Sequence, residues 1–311
     1  MTQESIDTKE SSVLDEFSYL YLSSEKEKES KTIQRKIDIS PEQSISFLDF
    51  FGFKENPFGD SVNTTFFYKT TQHYNVFQKM KMSAEQNISL GLVSGQSGVG
   101  KTMITQMLLT HLDAKKFKTV VVLVSPGMTK TALIKDILLE LGVEESSIKT
   151  QQSYDLLRLL HNKVIELYQG GKRLVIIIDE AHFLESSSLH ILRTISNIEL
   201  PEMKLTTCLL FAESVFQRRL RHESYNSLRS RMYVKEDLSP FSLEETTAYI
   251  KHRLQTAGNN NEVFTPDTFE VIQTATGGIA REVNNLAYNA MVEAYLAKEK
   301  IVNNKLLLNC L

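Results

Sequence analysis

The sequence predicts an α/β protein: a parallel five-stranded sheet flanked by helices, followed by a small all-helical C-terminal domain. Three observations predict it. Short apolar, β-branched runs at 88–93, 119–124, 174–178, 206–211 and 232–234 alternate with amphipathic helical stretches, as in a sheet covered on both faces. The first run leads into a glycine-rich loop and the third ends in two consecutive carboxylates, and parallel sheets bind ligands at the carboxyl ends of their strands. Beyond Ser242 the strand signals stop and only helical periodicity remains.

The elements follow in order. Residues 1–45 are rich in Ser, Glu and Lys, with mixed charges and no apolar face from 23 to 31. That composition predicts a disordered or weakly structured polar tail, in which the aromatic patch at 17–22 is a candidate docking motif. Order is expected to begin near Phe47, in an aromatic-dense stretch ending at Asn56-Pro57-Phe58. Residues 46–241 then form the α/β domain. Residues 242–311 form the helical one, whose first helix opens behind Ser242, a good N-cap residue. Pro266 stands where the first turn of a second helix is expected, and 280–297 reads as a third helix.

Composition excludes several classes. The 311 residues carry a formal net charge of −3, so no global basic field draws the chain onto nucleic acid, although a local basic patch remains open. Cys208 and Cys310 are the two cysteines; their spacing suits neither a disulfide framework nor a zinc site. No apolar run approaches the roughly 20 residues of a membrane helix. The polar, acidic N-terminus is unlike a secretory signal. A cytoplasmic location is expected, peripheral to the inner membrane only through a partner.

The glycine-rich loop is Gly95-Gln96-Ser97-Gly98-Val99-Gly100-Lys101-Thr102, a complete G-x-x-x-x-G-K-[ST] phosphate loop between a strand and a helix. Its glycines let backbone N–H groups turn inward around phosphates, and the helix N-terminus behind it adds a positive dipole end. Lys101 is expected to reach the β- and γ-phosphates of ATP, and the Thr102 hydroxyl to ligate Mg²⁺. The strand 174–178 ends in Asp179-Glu180. Asp179 is the expected Walker B aspartate holding Mg²⁺, and Glu180 the carboxylate that orients and polarises the attacking water. Although Asp179-Glu180-Ala181-His182 spells a helicase box, the residues that follow are too few for a second helicase domain. His182 is therefore expected to act as a supporting or structural residue.

At this point the chain resembles the AAA+ ATPases, and specifically the ExeA-type family of general-secretion-pathway ATPases, from about residue 47 to 297. The residues that carry the resemblance are Phe50-Phe51-Gly52-Phe53-Lys54-Glu55-Asn56-Pro57-Phe58 with Phe67-Tyr68 and His73, then Leu192-Arg193-Thr194-Ile195-Ser196-Asn197-Ile198-Glu199, then Tyr249-Ile250-Lys251-His252-Arg253-Leu254-Gln255-Thr256-Ala257-Gly258 and Gly278-Ile279-Ala280-Arg281-Glu282-Val283-Asn284. The resemblance implies an AAA+ P-loop fold with a helical lid. It implies adenine near Phe58, an arginine finger at Arg231 reaching a neighbouring subunit's ATP, and a sensor arginine at Arg281 reading the γ-phosphate. Arg229 is the alternative finger. The chain departs from the family's pattern at His182, usually Gln; at Ala212-Glu213-Ser214, usually Gly-Gln-Pro; and at Ala280, usually Pro. The membrane and wall-binding regions of longer members have no counterpart. A glutamate at the position of Glu213 either turns away from the γ-phosphate or slows hydrolysis.

Two classes of function follow. One is an ATP-hydrolysing oligomeric motor or switch, a homo-oligomeric ring or filament acting on a protein partner in envelope secretion or pilus assembly. The other is a DNA-linked AAA+ regulator of the transposition target-selection type. The feature that favours the second is the basic cluster Gln217-Arg218-Arg219-Leu220-Arg221-His222.

Overall fold

The computed structural model describes residues 45–311, which form one compact unit. The expected polar tail, Ile45 apart, and its aromatic patch lie outside the described residues.

The chain enters through a short helix, α1 (Phe47–Phe51), capped by the Ser46 hydroxyl and stopped by Gly52 in the left-handed region. A single 3₁₀ turn, Thr64–Phe66, follows, and then α2 (Thr71–Glu85), capped by Thr70. Next come β1 (Leu90–Gly95), α3 (Lys101–His111), β2 (Phe117–Leu123), α4 (Lys130–Glu140), α5 (Glu145–Ile148), α6 (Ser153–Gln169) and β3 (Arg173–Asp179). After β3 the chain forms α7 (Ser186–Ile195), a small antiparallel hairpin of β4 (Glu199–Leu200) and β5 (Met203–Lys204), and β6 (Thr206–Ala212). Helices α8 (Ser214–Leu220) and α9 (Asn226–Arg229) lead to β7 (Met232–Leu238). Four helices complete the chain: α10 (Leu243–Thr256), α11 (Thr268–Thr276), α12 (Ala280–Leu296) and α13 (Asn304–Leu308). A full capping box of Ser242 with Glu245 starts α10, satisfying two otherwise orphaned N–H groups.

The five long strands are all parallel, in the order β2-β3-β6-β1-β7. Side chains alternate across the sheet. Val175 and Ile177 of β3 pack beneath α2 and α3, with Phe77, Met80, Ile104 and Leu108. Leu174, Ile176 and Ile178 face α4, α6 and α7. Every one of these five β3 side chains is buried, which is why the strand reads as an unbroken apolar run. Edge strand β7 runs four residues beyond the apolar run 232–234, to Leu238. Its Tyr233, Lys235 and Asp237 are exposed, and such polar alternation hides an edge strand from an apolar-run reading.

A separate apolar cluster joins the N-terminal aromatic segment to the C-terminal helices. Phe51, Phe53, Phe58 and Phe66 bury against Ile250, Leu254, Leu286 and Met291. The last helix, α13, has no counterpart among the expected elements; it seals this cluster with Leu306 and Leu307. No helix among the described residues is long and apolar enough to cross a membrane.

Candidate active site

The parallel register brings the carboxyl ends of β1, β6 and β3 side by side. One pocket opens there, lined by the phosphate loop, Glu180, the aromatic segment around Phe58 and residues of α10 and α12.

In the phosphate loop, Gly98 (φ +80°) and Gly100 (φ +107°) hold left-handed conformations, which side chains with a Cβ rarely adopt. Gly98 also has no room for one, since a Cβ would stand 2.9 Å from Arg281 Cβ. Lys101 and Thr102 open α3, directly behind the loop. Lys101 is 5% exposed, and its ammonium donates to the carbonyls of Gly95 (3.0 Å) and Gln96 (2.8 Å). Burial pushes its pKa below the ordinary lysine range, opposed by Glu180, Glu213 and Asp179. The lid touches the loop directly: the Arg281 backbone N–H donates to the Gly98 carbonyl (3.1 Å) and its guanidinium to Ser97 Oγ (3.3 Å).

His73 secures the loop from the other side. Its Nε2 lies 2.8 Å from the Val99 carbonyl and its Nδ1 2.8 Å from Thr70 Oγ1. A carbonyl can only accept, so Nε2 donates; in the neutral imidazole Nδ1 then accepts the Thr70 hydroxyl proton. Burial pushes the same way, lowering the pKa of His73 from its ordinary 6.5. The sequence marks His73 only as part of a family signature; no local pattern tells that it grips a loop 26 residues away.

Asp179 is buried at the tip of β3. Its Oδ2 accepts the Thr102 hydroxyl (3.1 Å) and its Oδ1 the Glu180 N–H (3.0 Å). A hydroxyl and a carboxylate in contact form a hard oxygen donor pair, which fits Mg²⁺. Glu180 has φ +56°, uncommon outside glycine, and lines the pocket. Its Oε2 lies 3.3 Å from Nδ1 of His182, and that nitrogen also lies 3.3 Å from the Glu213 N–H. Ligand atoms of Glu180, His182 and Glu213 fall within 4.8 Å of one another. Glu213 therefore does not turn away from the site, and the half-buried His182 ring stands beside both carboxylates.

Arg231 does not line this pocket. It precedes β7, at the opposite end of the sheet from the phosphate loop, and donates to Asn197 Oδ1. Arg229 is taken up within the chain, by the carbonyls of Leu220 and Arg221 and by Asn226 Oδ1 (2.6 Å). The basic cluster divides in the same way. Arg219 donates to the carbonyls of His182 and Leu184 and to the Tyr225 hydroxyl, and Gln217 turns inward to Ser94 and Asp237. Arg218 and Arg221 are exposed.

An AAA domain is recognised over residues 84–220. The chain is 28% identical over 259 residues to General secretion pathway protein A of Aeromonas hydrophila, covering 83% of this chain and 46% of that protein. It thus spans about half the length of this relative. Among solved structures, the Aeropyrum pernix ORC2 protein in ADPNP–ADP complexes superposes with a TM-score of 0.65 at 16% identity, over 83% of this chain and 71% of that one. The Aeropyrum pernix ORC1 protein in complex with DNA gives 0.63 at 18% identity, over 83% and 69%. The Thermotoga maritima RuvB Holliday junction branch migration motor gives 0.51 at 18% identity, over 76% and 67%. At these identities the structures share the fold.

Proposed function

Taking as premise an ExeA-like AAA+ protein with its AAA domain at residues 84–220, we propose that this chain binds ATP with Mg²⁺ and hydrolyses it to ADP and phosphate. The observation that carries the reading is convergence: Lys101, Thr102, Glu180 and Arg281 line one pocket, with Asp179 bonded to Thr102 at its wall.

Each residue has a distinct part. Backbone N–H groups of residues 95–102 enclose the phosphates, and Lys101 exchanges its loop carbonyls for phosphate oxygens, a stronger charge-assisted contact. Thr102 and Asp179 would hold Mg²⁺, which would supply positive charge to offset that of the phosphates. Glu180 orients the attacking water and draws on its proton. Arg281, carried by α12, reports the γ-phosphate to the lid. Arg231 stands away from its own chain's pocket; in the role the family resemblance implies, it acts on the nucleotide of a neighbouring copy in a homo-oligomeric ring or filament. Such an assembly works as a motor or switch on the cytoplasmic side of envelope secretion or pilus assembly. A protein partner brings it to the inner membrane.

Phosphate release, measured for each variant alone and in mixtures, tests this. Glu180→Gln retains ATP binding and loses most turnover. Arg231→Ala does the same, and mixing it with Lys101→Ala restores part of the activity, because an intact phosphate loop then meets an intact finger. No recovery in a mixture shown independently to co-assemble rules out a finger acting in trans, and wild-type turnover by Glu180→Gln rules out its role as base.

The exposed pair Arg218 and Arg221 favours a second reading, a DNA-linked regulator of the transposition type. That reading requires duplex DNA to stimulate turnover with a steep salt dependence, and Arg218→Ala with Arg221→Ala to remove the effect. Arg219 is left unchanged in this test because its hydrogen bonds hold α8 to the turn after β3.

A further inference from the structure

Arg253, on α10, is 5% exposed, yet no carboxylate lies within ion-pair distance of it among the described residues. Its guanidinium carbon lies 4.7 Å from the ring centre of Phe66 and 5.9 Å from that of Phe58. Nε donates to the Pro57 carbonyl and Nη1 to the Tyr249 hydroxyl at 2.8 Å. A guanidinium carries five N–H groups and accepts nothing. Two of the five therefore have protein acceptors, and the side chain borders the same pocket as Lys101 and Glu180.

The direction of the next bond follows. Tyr249 accepts from Arg253, so its own proton goes to Asn284 Oδ1 at 2.9 Å. With its oxygen so used, the Asn284 amide is left as a donor, one helical turn from Arg281 on α12. This end of the pocket thus offers π-faces and N–H donors around an uncompensated cation. A buried cation is costly without acceptors, and an aromatic ligand bearing ring nitrogens supplies both acceptors and a stacking face.

We propose that Arg253, braced through Tyr249 and Asn284, selects the base of the bound nucleotide by donating to a ring nitrogen of a purine lying in the aromatic end of the pocket. This rests on reading the phosphate loop as a nucleotide site. Arg253 sets specificity there; it takes no part in the phosphate chemistry.

The test is equilibrium binding of ATP, of 1-deaza-, 3-deaza- and 7-deaza-ATP, and of inorganic tripolyphosphate, to wild type and Arg253→Met. In wild type, removing the contacted nitrogen is expected to weaken binding roughly 10-fold, the usual scale for a charge-assisted hydrogen bond. Arg253→Met weakens ATP by a similar factor, leaves tripolyphosphate unchanged, and is insensitive to that same deaza substitution. Such non-additivity isolates the contact from a general loosening of the lid. Equal deaza penalties in wild type and variant overturn the proposal. An equal loss for tripolyphosphate overturns it too, because Arg253 then acts through the loop or lid. Should Arg253→Met not fold, Arg253→Lys keeps the charge without the planar fork, and the same non-additivity decides. Wild type that binds neither ATP nor tripolyphosphate, matching Lys101→Ala, overturns the nucleotide reading itself, a result distinct from a failure of Arg253 alone.

Discussion

At the phosphate end of the pocket, most of the working groups come from eight consecutive residues, 95–102, and from the tip of one strand, Asp179 and Glu180, with Arg281 added from α12. At the other end they come from remote segments: Arg253 bonds to Pro57 across 196 positions, and Tyr249 to Asn284 across 35. The first arrangement is a motif, whose spacing follows from wrapping backbone around phosphates. The second is a clasp between the aromatic segment and the C-terminal helices, whose members share one apolar cluster. The core of the phosphate end is thus local, with His73 and Arg281 supporting it from other elements. The base end exists only while two distant parts of the chain stay packed together.

That contrast breaks if substitutions at the two ends have the same signature. Lys101→Ala is expected to weaken ATP binding roughly 10–100-fold, the loss of charge-assisted hydrogen bonds to phosphate, with an unliganded melting temperature near that of wild type. Isothermal titration and thermal melting check the pair of outcomes, and a collapse of stability would show that Lys101 is structural.

Phe66→Ala is expected to do the reverse. Phe66 is 2% exposed within the cluster that joins the aromatic segment to the lid. Truncating a buried Phe costs about 3–5 kcal/mol, or roughly 6–20 °C for a unit of this size. Tripolyphosphate affinity, measured well below the new melting temperature, should stay close to wild type. If it falls along with stability, the two ends are one cooperative device.

His73 sharpens the comparison with the smallest effect. Its pKa is lowered by burial from 6.5, so the unfolded chain binds the extra proton more readily. Its contribution is complete above about pH 6.5 and is lost as pH falls through that value toward the folded pKa, by at most about 1.4 kcal/mol per pH unit. His73→Gln keeps a donor for the Val99 carbonyl and cannot titrate. Melting curves between pH 7.5 and 5.5 should therefore be flatter at the acid end in the variant; equal slopes would remove His73 from the acid sensitivity.

Much of the candidate site was legible because its logic is local. Residues 95–102 and Asp179-Glu180 announce phosphate and cation chemistry by residue type and spacing, and the 174–178 run announces a strand buried on both faces. A one-dimensional pattern is enough where the constraint spans a turn or a strand. The same kind of reading grouped Arg218, Arg219 and Arg221 as one basic patch, but folding spends Arg219 on the carbonyls of His182 and Leu184. It likewise left open where Glu213 stands, and the parallel pairing of β6 beside β3 brings Glu213 up to Glu180 and His182.

The sequence alone thus determined the strands of the sheet, the phosphate loop and the acidic pair, because hydrophobic period and motif spacing act over a few residues. Tertiary structure alone decided which polar side chains are free and which are held: His73 on the Val99 carbonyl, Arg229 and Arg219 within their own chain, Arg253 inside an aromatic pocket. A buried polar side chain must find its partner wherever the packed chain supplies one, and that partner is set by how distant segments meet.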